Sequence, residues 1–114
     1  MTVDVAGARR TLEEHRDRLR HEIGEQGIDP DSVDFVAELE HGFADGAHTA
    51  AERGQAITIV RELKGSLSAV ELALGKLDKG TYGTCERCGE PIAPDRLEAI
   101  PEARLCIRCK QATR

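Results

Sequence analysis

The sequence predicts a mostly α-helical fold in two parts: an antiparallel, coiled-coil-like helical hairpin over residues 1–79, joined to a small four-cysteine module over residues 80–114. Three observations predict it. Val60, Leu63, Leu67, Val70, Leu74 and Leu77 recur at alternating steps of three and four, the narrow apolar seam of a heptad repeat. Two shorter helical stripes precede that seam, and all four cysteines follow it in two Cys-x-x-Cys pairs. A chain of 114 residues has room for one ordinary domain or two small modules. Its aromatic residues are Phe35, Phe43 and Tyr82, too few for a thick core or for a stacking surface that grips single-stranded RNA.

Taken in order, Leu12, Leu19 and Ile23 give the first stripe, and Gly24 marks its expected end. Asp29-Pro30-Asp31-Ser32 offers a side-chain acceptor followed by Pro, so a second helix is expected to start near Pro30 and carry Val33, Val36, Leu39 and Phe43 inward. Gly42 to Gly46 is the expected fold-back. The third helix then runs from Thr49 to Lys79, with Ile57 extending its seam upstream. At ~1.5 Å per residue it is roughly 45 Å long, and with Gly54, Gly65 and Gly75 inside it such a helix needs a partner. The first arm supplies one if residues 31–41 lie beside its start and residues 10–24 beside its second half. That reading makes the protein a monomer; homodimerisation through the same seam is the alternative that periodicity leaves open.

The formal charge of −5 hides an asymmetry. From His21 to Glu52 there are nine acidic residues and no Lys or Arg, giving −9, while the other 12 acids and all 16 Lys and Arg give the remainder +4. Such an acidic segment repels DNA phosphate and suits a basic cleft or a bound cation, or else forms a solvated acidic loop. No apolar run approaches the ~20 residues of a membrane span, and no basic-then-apolar start marks a signal peptide. A cytoplasmic protein without a membrane contact is expected. Four scattered histidines and the lack of a Gly-rich phosphate loop leave no constellation for catalysis, so an enzyme is not expected.

Cytoplasmic thiols stay reduced, which favours metal ligation over disulfides for Cys85, Cys88, Cys106 and Cys109. The pairs Cys85-Glu-Arg-Cys88 and Cys106-Ile-Arg-Cys109 stand 17 residues apart, the spacing of a four-thiolate zinc site. Gly89 permits the positive dihedral that such a turn requires. One Zn2+ with four protein thiolates has no open position, so its role is structural. Arg87, Arg104, Arg108 and Lys110 are placed to offset the charge of the complex. The module has little other apolar material (Ile92, Leu97, Ile100, Leu105, Ile107), so the metal must supply much of its folding free energy. A redox-sensing site that releases its metal on oxidation is the competing reading.

The run Gly80-Thr81-Tyr82-Gly83-Thr84-Cys85-Glu86-Arg87-Cys88-Gly89-Glu90-Pro91-Ile92, then Arg96 to Pro101, then Cys106-Ile107-Arg108-Cys109-Lys110, resembles the DksA/TraR zinc-finger family. The motif-level match covers residues 80–110, and the layout extends it to about residue 43 through the long helix. The resemblance implies a transcription regulator that binds RNA polymerase, inserts a coiled-coil hairpin into the secondary channel and modulates initiation, without sequence-specific DNA binding. The family's hairpin tip carries Asp-x-x-Asp-x-Ala near the catalytic magnesium. Counting back 40 residues from Cys85 places Asp45 and Ala47 on the second half of that motif, while Gly42 stands where the first Asp belongs. Asp45 also has the chemistry of an N-cap for the long helix. Some members contribute basic residues to a guanosine tetraphosphate site; here the matching places hold Ala69, Ile100 and Lys110, so Lys110 is the retained anion contact and little alarmone dependence is expected. A zinc-stabilised adaptor that binds another protein through the helical seam is the alternative function.

Overall fold

Asp4 opens the first helix, its Oδ1 accepting the Gly7 N–H at 3.0 Å and so satisfying an amide that a helix N-terminus leaves unpaired. The structure is a computed structural model that describes residues 3–43, 46 and 48–112. Among these it contains α1 (Val5–Glu25), α2 (Phe35–Phe43), α3 (Ala50–Lys79), α4 (Pro94–Ala99) and α5 (Ile107–Ala112), and no strand beyond an isolated antiparallel bridge between Thr84 and Pro91. The fold is mostly α. No described helix is long and apolar enough to cross a membrane.

The chain divides into two compact units, residues 17–67 and residues 1–16 with 68–114. In the 17–67 unit, Ile23, Ile28, Leu39, Val60 and Leu67 are buried together, with Leu19, Phe35, Phe43, Ala56, Ile57 and Leu63 packed against them. The end of α1 and all of α2 therefore cover the first half of α3, and each large side chain buried there contributes about 1.5–3 kcal/mol. In the other unit Leu12, Val70, Ala73, Leu74 and Leu77 are buried, and Arg9 pairs with Asp78 at 2.8 Å. The start of α1 thus meets the end of α3, as antiparallel helices require.

The ends of α1 and α3 use one device. Gly27 (φ 81°) and Gly80 (φ 77°) turn left-handed. The next residues then donate back across the last turn, Ile28 N–H to Ile23 O at 3.3 Å and Thr81 N–H to Lys76 O at 2.9 Å. This is the Schellman closure, and at α1 it also brings Ile28 against Ile23 in the core. The helix therefore passes Gly24 and stops at the next glycine that a closing hydrophobic residue follows.

Expectation and structure part at the second helix. Asp29 does not cap a helix from Pro30; its Oδ1 accepts the Asp31 N–H at 2.9 Å and its carbonyl the Ser32 N–H at 2.9 Å, which makes a turn. The helix begins at Phe35, capped by Asp34, whose Oδ1 accepts the Ala37 N–H at 3.1 Å. Val33 consequently leaves the apolar stripe and is 99% exposed. Lys64 holds the turn down by donating to Pro30 O at 3.1 Å and to Ser32 O, while Arg20 grips Asp31 through two bonds of 2.9 and 3.0 Å.

Candidate metal centre

Two backbone turns build the thiol cluster. In the first, Gly89 N–H closes on Cys85 O at 3.0 Å with Gly89 at φ 77°, the left-handed residue expected there. In the second, Lys110 N–H closes on Cys106 O at 2.9 Å as α5 begins. Cys85 N–H donates to Glu90 O at 2.8 Å, and Ile92 N–H to Gly83 O at 2.7 Å, which folds the first turn back on itself. Gly83 is at φ 87°, and a Cβ there would stand 3.3 Å from Leu97 Cδ1.

The turns bring the Sγ atoms of Cys85, Cys88, Cys106 and Cys109 within 4.8 Å of one another. Cys88 and Cys106 Sγ are 3.8 Å apart, the edge of a tetrahedron with Zn–S bonds of about 2.3 Å. The donor set and spacing thus fit one soft divalent ion. Backbone amides of Cys88 and Cys106 aimed at Cys85 hold its thiol down at about 6, and Cys106 is lowered chiefly by the Cys109 amide. Burial, then the neighbouring sulfurs, pushes Cys109 up to about 12. Four thiolates this close repel one another, and a cation at their centre relieves that repulsion.

The turns are fastened by contacts that no local sequence pattern marks. Glu86, inside the first Cys-x-x-Cys, accepts from Arg104 and from Lys76 Nζ at 3.3 Å, while its own N–H donates to Arg104 O at 2.9 Å. Arg104 and Lys76 hold its carboxyl below the usual range. Arg104 is thus engaged with Glu86. Tyr82 Oη donates to Pro101 O at 2.8 Å, and Arg96 Nε to Leu105 O at 3.0 Å. The available signal was a Glu within the pair and basic residues at 76 and 104, which becomes readable only once the turns are in place. Cys85, Ile92 and Leu97 form the buried cluster here, whereas Ile100 and Ile107, counted among the module's apolar residues, are 39% and 53% exposed.

Lys110 is exposed and borders a cavity of about 560 Å3 together with Ile100, Arg87 and Arg96. Asp45 and Ala47 lie outside the described residues. Beside them Gly46 N–H donates to Phe43 O at 3.1 Å, and the Phe43 and His48 rings meet with centroids 4.9 Å apart. The cap of α3 is Thr49, whose Oγ1 accepts the Glu52 N–H at 3.1 Å and donates to Glu52 Oε1 at 3.2 Å. Thr49 thus caps α3 through its hydroxyl, which satisfies one backbone amide of the first turn.

Comparison with known proteins places this geometry among relatives. Residues 80–113 match the family model described as prokaryotic dksA/traR C4-type zinc finger. The chain is 33% identical over 114 aligned residues to the RNA polymerase-binding transcription factor DksA of Escherichia coli, an alignment that covers 93% of this chain and 68% of that one. An uncharacterised protein of Aquifex aeolicus is 48% identical over 63 residues, 48% of this chain but only 43% of that protein, so the chain spans less than half the length of this relative. The solved structure of transcription factor DksA2 from Pseudomonas aeruginosa superposes with a TM-score of 0.72 at 26% identity, covering 96% of this chain and 81% of that one.

Proposed function

This chain belongs to the DksA/TraR family of zinc-finger transcription factors, which are not enzymes, and from that membership we propose that it binds RNA polymerase and regulates transcription initiation. One Zn2+ held by Cys85, Cys88, Cys106 and Cys109 stabilises the module of residues 80–114. With every donor a protein thiolate, the ion is structural. The hairpin of residues 1–79 enters the secondary channel with Asp45 and Ala47 at its tip, acting as a cytoplasmic monomer and without reading DNA sequence. The observation that carries this reading is the similarity to an RNA polymerase-binding factor along nearly the whole chain.

Charge supports the direction of entry. Asp29, Asp34 and Glu40 are exposed in the segment that lacks any Lys or Arg, while Asp31 pairs with Arg20. A negative surface of this kind is drawn to a basic channel and away from nucleic-acid phosphate.

The test separates binding from action. Asp45→Asn keeps the side chain's shape and removes one charge, so affinity for purified polymerase falls by no more than ~1 kcal/mol while the effect on abortive transcript yield largely disappears. Gly42→Asp restores the family's first tip carboxylate and strengthens the effect. Unchanged activity in Asp45→Asn removes the channel mechanism, and a folded chain that retains no polymerase removes the whole reading in favour of an adaptor.

A further inference from the structure

A second concave surface on the unit of residues 1–16 and 68–114 is lined by no cysteine. Its volume is about 740 Å3, within the roughly 300–1,000 Å3 typical of ligand sites. One wall is a face of α1 on which Gly7, Ala8 and Thr11 follow at helical spacing. Because Ala8 and Thr11 are small, the helix leaves a trough there that a Leu or Phe would fill, while the Asp4 carboxylate occupies the space over Gly7. Val3, Tyr82 and Pro94, all half-buried, supply apolar surface around it, with Leu97 and Pro101 buried beneath.

The rims are acidic. Asp4 and Glu14 from the α1 side face Asp95 and Glu98 from α4, all four exposed, against Arg10 as the lining cation, which makes the groove −3. Elsewhere in this unit Asp78 pairs with Arg9, and Glu86 with Arg104 and Lys76. Glu14, Asp95 and Glu98 have no ion-pair partner among the described residues.

We propose that this groove docks a cationic peptide segment of a partner protein, with an apolar side chain over Tyr82 and Pro94 and flanking Lys or Arg on the acidic rims. Nucleic acid is excluded by the sign of the charge. A bare cation has no use for the apolar floor. The assignment goes beyond the polymerase reading and does not depend on it, because it follows from the shape and charge of this groove alone.

The probe is a short peptide of alternating Lys and Leu, titrated into the full 15N-labelled chain as purified with its metal. Amide shifts are expected at Gly7, Thr11, Tyr82 and Glu98, with none from a matched Glu–Leu peptide. Asp95→Asn with Glu98→Gln weakens binding about fivefold and removes much of its salt dependence. Thr11→Phe fills the trough without changing charge and weakens binding as well. Shifts centred on residues 29–40, the acidic segment any cation seeks, overturn the proposal. So does undiminished binding in both variants, or a free chain already dimeric through this groove.

Discussion

Leu67 is the position where the helical packing can be tested most sharply. It is 3% exposed on α3 and packs with Ile23, Ile28, Leu39 and Val60. Leu67→Ala removes about three methylene equivalents at ~0.8 kcal/mol each, and the unfilled space raises the loss to about 3–4 kcal/mol. A chain of this length has a total stability of about 6–17 kcal/mol, so the Ala variant stays folded. Leu67→Asp adds the cost of a buried, unpaired carboxylate, several kcal/mol more, and should unfold residues 17–67. Leu72 is the control: five residues along the same helix and 49% exposed, it should lose under about 1 kcal/mol on replacement by Asp. Urea unfolding followed by far-UV circular dichroism gives the magnitudes, and amide exchange locates the opening. A loss below about 1 kcal/mol for Leu67→Ala, or equal losses at the two positions, would mean that α3 does not bury this face. In transcription assays Leu67→Asp should be inactive even though the tip is intact.

Cys109→Ser should abolish retention of one zinc per chain, seen by native mass spectrometry, and expose residues 81–112 to protease while α3 keeps its helicity. One lost thiolate removes a large part of the ~10–16 kcal/mol that a structural zinc supplies, and two disulfides without metal in the native protein would refute the assignment. The Arg20–Asp31 pair predicts an acid dependence: the guanidinium beside Asp31 lowers its pKa, so the stabilisation is present above the unfolded carboxylate value of about 3.9 and is lost as pH falls through the lower folded value. Carboxyl NMR should place the Asp31 midpoint below that of a free Asp and return it upward in Arg20→Gln; an unshifted midpoint in the parent chain contradicts the pair.

The seam and the thiols were legible because each is a local pattern with one solution. Val60, Leu67, Val70, Leu74 and Leu77 are all buried at the spacing that predicts them. The two Cys-x-x-Cys turns, with 17 residues between them, bring all four Sγ atoms together. Helix ends were less legible because several residues offered the same chemistry. Asp29 and Asp34 are both good caps. What chose between them was burial: the turn at Gly27 carries Ile28 into the core at 3% exposure and leaves Val33 outside, so the apolar stripe restarts at Phe35 and Asp34 stands one residue ahead of it. The pair Gly27-Ile28 was the readable signal, since a glycine followed by a hydrophobic residue closes a helix in a way that Gly24 followed by Glu25 does not.

The same principle explains why the fastening of the thiol module is not legible in the sequence. A salt bridge has no periodicity, and Glu86 becomes informative only when the two turns bring residues 86 and 104 together and the end of α3 supplies Lys76. These contacts are exposed, so in water each is worth little alone, about 0–1 kcal/mol. Their value lies in direction: the backbone bond from Glu86 N–H to Arg104 O and the side-chain contacts run through one residue of the first Cys pair. With Cys85, Ile92 and Leu97 as its buried cluster, the module has too little apolar burial to hold four like-charged sulfurs in place. A metal held by the four thiols would close the site, and Glu86 ties the first Cys turn to the end of α3.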